Sequence, residues 1–180
     1  PSLNVLPKMD GRLFGSLPER GDIVVLKSPI AQDDWIKRVI GLPGDRIQMR
    51  DGVLYINGQA VKKERIEDYA DPSESGLQSP VAQYLETLPN GVQYRVLDTD
   101  ALGDADNTDE YVVPAGHYFM MGDNRDNSTD SRYPQSAGGV GFVSEEFLIG
   151  RADRVMFSSA GSRMLYFWTW RSDRYYKAIE

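Results

Sequence analysis

Two places in this chain hold residue types that do chemistry. The first is Gly122-Asp123-Asn124-Arg125-Asp126-Asn127-Ser128-Thr129-Asp130-Ser131-Arg132, which follows directly on the apolar run Phe119-Met120-Met121. Its glycine, asparagines, aspartates and serines suit a solvated loop, because each stabilises turns. The same composition also suits a charge-paired scaffold, with Asp123, Asp126, Asp130, Arg125 and Arg132 holding the hydroxyl of Ser128 in place, and composition alone leaves both readings open. The second is Lys37, in the middle of the apolar segment Trp35-Ile36-Lys37-Arg38-Val39-Ile40. A lysine amine deprived of water loses its preference for charge, and near a pKa of ~7 to 8 it becomes a usable base toward a serine hydroxyl. The plainer alternative is a lysine that snorkels to solvent from a half-buried strand.

Other chemistries are excluded by what the chain lacks. Without cysteine there is no thiol nucleophile, thiolate metal site or disulfide scaffold. The single histidine, His117, lies in a turn-like Pro114-Ala115-Gly116 context and leaves no Ser-His-Asp arrangement or histidine-rich metal site. Any serine hydrolase chemistry here must take its base from a lysine or a carboxylate. Asp98, Asp100, Gly103 and Asp109 invite comparison with a calcium loop, but Leu102 stands where an oxygen ligand belongs and the last position is not Glu. No metal and no cofactor is expected. With a net charge of -7 and no basic run, nucleic acid is not an expected partner. No apolar stretch approaches the ~18 residues of a spanning helix.

The elements that must position these residues read as strands. Ile23–Leu26 follows the turn formers Arg20-Gly21-Asp22, and Trp35–Gly41 follows a polar linker over 29–34. Period-two alternation puts Lys37 on one face with Trp35 and Val39, opposite Ile36, Arg38 and Ile40. Leu42-Pro43-Gly44-Asp45 predicts a type II turn, and Asp51-Gly52 and Asn57-Gly58 predict hairpins in a meander that ends at Val61. Residues 62–110 are acidic and turn-rich, with a hairpin around Pro89-Asn90-Gly91, and read as an inserted subdomain. The core is then 1–61 with 111–180. Ser144–Phe147 predicts one helical turn capped by Ser144, residues 136–141 a flexible stretch, and Met164–Trp170 an aromatic strand of the core or of a membrane interface. The expected fold is all-β and mostly antiparallel, with a β-rich insert.

Trp35–Asp45 and Gly122–Arg132 together resemble the two signature segments of bacterial type I signal peptidase, in the right order, within a likeness running from about Arg20 to Ala152. That resemblance implies a serine endopeptidase of Ser-Lys type, anchored in the cytoplasmic membrane with its catalytic domain on the outer, periplasmic side. Such enzymes remove signal peptides from exported preproteins after Ala-x-Ala-like sites. It implies Lys37 as general base, Ser128 as the hydroxyl that orients it, and Asp130 with Arg132 as a salt-bridged support, Asp123 standing beside them. It also implies that Asp34, Trp35 and Ile36 line the substrate cleft, with signal peptides and the membrane surface, near Trp168 and Trp170, as partners and no metal or cofactor. One departure stands out. The family carries its nucleophile in a Pro-Ser-x-Ser-Met segment, whereas this chain opens Pro1-Ser2-Leu3-Asn4-Val5, and neither Ser2 nor Ser16 has matching neighbours. The expectation is that the numbering begins inside or after that segment, leaving a polypeptide that cannot form an acyl-enzyme. Rival expectations are a related Ser-Lys processing peptidase and a non-catalytic β module that binds peptide or carbohydrate on its tryptophans, with a solvated Lys37.

Overall fold

A computed structural model describes residues 17–29, 33–69, 80–100, 103–152, 154–155 and 177–178. Every strand ladder in it is antiparallel, and its only helical pieces among the described residues are 3₁₀ turns at Gln135–Ala137 and Glu145–Phe147. The all-β expectation holds. The strands are β1 (Ile23–Lys27), β2 (Asp34–Gly41), β3 (Arg46–Arg50), β4 (Val53–Ile56), β5 (Gln59–Ala60), β6 (Lys62–Arg65), β7 (Gln83–Thr87), β8 (Gln93–Leu97), β9 (Tyr111–Val112), β10 (His117–Met121), β11 (Val143–Ser144), β12 (Leu148–Arg151), β13 (Arg154–Val155) and β14 (Lys177–Ala178). The central sheet runs β11-β10-β2-β1-β12. Beside it are a four-stranded sheet β5-β4-β3-β9, a three-stranded sheet β6-β7-β8 and the pair β13-β14.

The predicted turns form for the predicted reasons. Asp51 and Gly52 join β3 to β4 at φ 47° and 69°, and Asn57 and Gly58 join β4 to β5 at 54° and 78°. Positive φ at both central positions suits the right-handed twist of a two-residue hairpin. Gly44 takes φ 89° in the Leu42–Asp45 turn, which closes with Asp45 N donating to Leu42 O at 3.0 Å. Two local expectations need correction. Ser144 precedes the Glu145–Phe147 turn but makes no side-chain cap, because it is committed to β11, facing His117 across the ladder. Of the stretch 136–141 expected to be flexible, residues 136–138 are exposed, but Val140 is fully buried and Gly139 lies so close to Tyr133 that a Cβ would meet its carbonyl oxygen at 2.0 Å. The aromatic strand expected at 164–170 lies outside the described residues.

β2 and β10 run through the middle of the molecule between two apolar cores. Val39, Tyr118 and Met120 face a cluster with Val24, Leu26, Val140, Val143 and Leu148. Ile40, Phe119 and Met121 face the opposite way, toward Ile47, Leu54, Leu88, Tyr94, Val96 and Val113. Burial on both faces explains why these strands read as continuous apolar runs rather than alternating ones. Pairing between them covers only Arg38 to Gly41 of β2 and slips by one residue between Phe119 and Met120, a bulge beside the polar stretch. The first half of β2, Asp34 to Lys37, pairs with β1. Among the described strands, none pairs with its other edge.

Candidate active site

The lysine and the polar stretch meet where β2 leaves the core. Alternation puts Lys37 on the face of Trp35 and Val39, half-buried, with its Nζ 5.5 Å from the centre of the Trp35 ring. The amine donates to Ser128 Oγ at 2.8 Å. Burial holds the Lys37 pKa below the ordinary lysine value. Asp130 opposes that shift, Arg132 reinforces it and Asp123 again opposes it, so the charges largely offset one another and desolvation decides the sign.

Ser128 is brought there by the loop folding back on β10. Ser131 N donates to Met120 O at 3.0 Å and Met120 N to Ser131 Oγ at 2.8 Å, so the chain retraces the strand it has just left. Gly122 N donates to Asp130 Oδ2 at 3.0 Å, which closes the loop. Gly122 is a steric necessity: a Cβ on it would lie 2.1 Å from Ser128 Oγ and 3.6 Å from Lys37 Nζ. The serine occupies the space that any side chain at 122 would need.

Beneath the pair lies a buried ion pair. Arg132 donates from Nε to Asp130 Oδ1 and from Nη2 to Asp130 Oδ2, both at 2.9 Å, with the side chains 1% and 0% exposed. A two-point bond of this kind fixes orientation as well as distance. Asp123 is gripped in the same manner by Arg38, from Nε at 2.9 Å and Nη2 at 2.8 Å. Arg38 also donates to Gly21 O and stacks 4.3 Å from the centre of the Tyr94 ring.

Asp34, Trp35, Ile36 and Lys37 line one open cleft of about 600 Å³, with Thr129 and Gly138 across from them. Ile36 is 63% exposed there, an apolar side chain offered to solvent along the unpaired edge of β2.

The single network expected around Ser128 is in fact divided. Arg125 points away, donating from Nη2 to Glu86 Oε2 at 2.5 Å. Burial works against its charge, but the Glu86 carboxylate prevails and its pKa lies above the ordinary arginine value. Asp126 accepts from Thr99 N, Thr99 Oγ1 and Asp100 N. Asp130 is already held at two points by Arg132, Arg125 and Asp126 find their partners in 62–110, and Asp123 finds its partner in Arg38 of β2. Sequence reasoning missed Arg38, Glu86, Tyr94 and Gly122. Arg38 had a signal, a charge amid apolar neighbours on the face opposite Lys37. The Glu86–Arg125 pairing had none, since its members stand 39 positions apart.

Among the described residues, one group could hold a cation: Asp98, Asp106 and Asp126, with carboxylate oxygens within 4.8 Å of one another. The Lys63 ammonium already pairs with Asp98 there. Ser2 and Ser16 lie outside the described residues.

Residues 7–157 match the model of the family described as signal peptidase, peptidase S26. Signal peptidase I of Rickettsia akari (strain Hartford) is 42% identical over 164 residues, covering 86% of this chain and 57% of its own length. Signal peptidase I of Rickettsia bellii (strain OSU 85-389) is 41% identical over 159 residues, 83% of this chain and 51% of its own length. The chain thus spans little more than half the length of these relatives. A signal peptidase I crystal structure from Enterococcus faecalis V583 shares 31% identity, covering 76% of this chain and 97% of its own, with a TM-score of 0.44.

Proposed function

This chain belongs to the signal peptidase family, peptidase S26, and from that premise we propose that it is the catalytic region of a serine endopeptidase that cuts signal peptides from exported preproteins. The observation that supports this best is the half-buried Lys37 amine held 2.8 Å from the Ser128 hydroxyl, with each nearby carboxylate bound to an arginine. Burial lowers the pKa of this amine, and in its neutral form it spends one N–H on Ser128 and keeps its lone pair for another hydroxyl. Lys37 is the general base in this proposal, Ser128 orients it, and Asp123, Asp130 and Arg132 support the loop.

The attacking group is a serine outside the described residues. Its oxygen adds to the scissile carbonyl as its proton passes to Lys37 Nζ. The resulting ammonium gives that proton to the departing amine as the C–N bond breaks, leaving an acyl-serine. Lys37, neutral again, takes a proton from water, whose hydroxide adds to the ester carbonyl. The acid product leaves and the serine recovers its proton.

The preprotein binds extended along the free edge of β2 over Asp34, Trp35 and Ile36, where its main chain adds to the sheet. Shallow apolar subsites there select small residues of the Ala-x-Ala type, since a larger side chain finds no room. No helix among the described residues is long and apolar enough to cross a membrane. The proposed location, on the outer side of the bacterial cytoplasmic membrane, rests on the family. Residues 62–110 remain assigned as an insert in the core of 1–61 and 111–180. The binding-module alternative requires a solvated Lys37 out of reach of Ser128, and the observed contact favours the dyad. The test is cleavage of a preprotein by the full-length protein and by its Lys37→Ala and Lys37→Arg forms. Both substitutions should abolish cleavage, the second because a guanidinium does not give up its proton. Undiminished cleavage by either removes Lys37 as the base.

A further inference from the structure

We infer that Glu86 and Tyr94, in the segment 62–110, are positioning residues for the Lys37–Ser128 pair, clamping the Gly122–Arg132 loop through Arg125 and Arg38. The inference rests on the dyad reading above and assigns that segment a share in catalysis.

The two residues face each other across the β7–β8 ladder and are 0% and 3% exposed. Tyr94 OH donates to Glu86 Oε2 at 2.6 Å, and Arg125 Nη2 donates to both, at 2.5 Å to Glu86 Oε2 and 3.1 Å to Tyr94 OH. Glu86 Oε1 and Arg125 Nε and Nη1 are buried with no hydrogen-bond partner among the described residues. Such an incompletely satisfied ion pair is a poor way to stabilise a core, where an apolar trio of similar volume would serve as well or better. What it does secure is the place of the Arg125 main chain.

Three connections carry that restraint to the site. Arg125 O accepts from Arg132 Nη2 at 2.5 Å, Arg132 holds Asp130, and Asp130 accepts from Gly122 N, whose residue packs against Ser128. The Tyr94 ring stacks on the Arg38 guanidinium that grips Asp123. Finally, the end of β8 bonds the loop directly, with Leu97 N donating to Asp123 O at 2.9 Å and Arg125 N to Leu97 O at 2.8 Å. The start of the loop is thus tied directly to the β7–β8 hairpin and its Arg132 end is tied to it through Arg125, while Glu86 and Tyr94 are not among the residues that line the cleft.

The test uses the full-length protein with Glu86→Gln and Tyr94→Phe. It measures kcat and KM on a preprotein, the pH profile of kcat/KM, and the Lys37 titration followed by its ¹³Cε resonance. Loss of the clamp should lower kcat of Glu86→Gln on the order of 100-fold, as ångström-scale misplacement does, with KM nearly unchanged. The acid limb and the Lys37 titration should both move to higher pH. A loosened loop readmits water to an amine whose pKa is lowered chiefly by burial, while the groups facing it, Asp130, Arg132 and Asp123, keep their charges. If Glu86→Gln does not fold, Tyr94→Phe decides, since it keeps the charge pair and the ring stack. Loss of that one hydrogen bond should reduce kcat about fivefold, with the same upward displacement. A folded variant with the parent's kcat, or one that is less stable yet has the parent's pH profile and Lys37 titration, overturns the inference. Failure of the unaltered protein to cut a preprotein would instead overturn the dyad reading, and the Lys37 titration would still judge the clamp.

Discussion

Replacing Gly122 with alanine tests the site at its tightest point. The added Cβ would lie 2.1 Å from Ser128 Oγ and 2.5 Å from Ser128 Cβ. Non-bonded heavy atoms settle near ~3.5 to 4 Å, so the serine must retreat by roughly 1.5 Å. That retreat takes the hydroxyl out of reach of an amine now 2.8 Å away. Gly122 is not among the glycines at positive φ, so its backbone suits alanine and the whole effect is steric. Overpacking costs about 1–3 kcal/mol and the lost hydrogen bond about 1 kcal/mol more, so Gly122→Ala should lower stability by about 2–4 kcal/mol in urea titration. If Lys37 is the base as proposed, kcat on a preprotein substrate should fall on the order of 100-fold through its misorientation. Gly150→Ala is the control, since nothing lies within 4 Å of its Cβ. Combining Gly122→Ala with Ser128→Gly should restore much of the stability but none of the activity, a non-additive result expected of two groups in contact. The reasoning fails if Gly122→Ala keeps the parent's kcat, or if it costs no more stability than Gly150→Ala.

Three other outcomes follow from the geometry. Lys37 has a pKa below its ordinary value of 10.5, so between the folded pKa and 10.5 the unfolded chain binds more protons, and stability gains with pH across that window. Lys37→Met, which has no proton to lose, should lack this rise, and urea titrations from neutral pH to pH 10.5 should show the parent closing on the variant as pH increases. Asp130→Asn leaves the fully buried Arg132 without its counter-charge and should cost about 3–5 kcal/mol. Asp123→Asn should cost less by the same denaturant measurement, because that carboxylate is 39% exposed. Ile36→Asp, at a position 63% exposed, should change stability by no more than about 0.5 kcal/mol. It should raise KM for a preprotein severalfold, and an unchanged KM would argue against the cleft as the peptide's seat.

Much of the fold was legible because it is local. Asp51-Gly52 and Asn57-Gly58 demand positive φ, and the hairpins they predict are present. Period-two alternation put Lys37 with Trp35 and Val39, and the amine does face the Trp35 ring. The Asp130–Arg132 pair was legible because two residues of separation in a turn allow a two-point bond. Other features depended on tertiary arrangement. Asp123 had several arginines within reach in the sequence, and only the antiparallel pairing of β10 with β2 brings it to Arg38. Arg125 was assigned to the loop's own aspartates, whereas a hairpin nearly forty residues earlier supplies its partner, Glu86. The Ser144 cap failed because the local signal ignored a strand ladder that engages the same residue.

A lysine stays neutral only if its surroundings withhold both water and uncompensated negative charge, and this loop brings carboxylates close to it. Asp130 and Asp123 each raise the Lys37 pKa, and either one bonded directly to the amine would hold it as an ammonium. Each instead has both oxygens engaged by a guanidinium, Asp130 by Arg132 and Asp123 by Arg38. The direct partner left to the amine is Ser128, a hydroxyl that fixes direction without adding charge. The arginines therefore do electrostatic work as well as structural work: they let a carboxylate-rich turn hold its shape while burial remains the largest influence on Lys37. Removing an arginine should not merely loosen the loop. It should free a carboxylate beside the amine and raise the Lys37 pKa, so that the base proposed at Lys37 would be disabled by protonation even where its position survived.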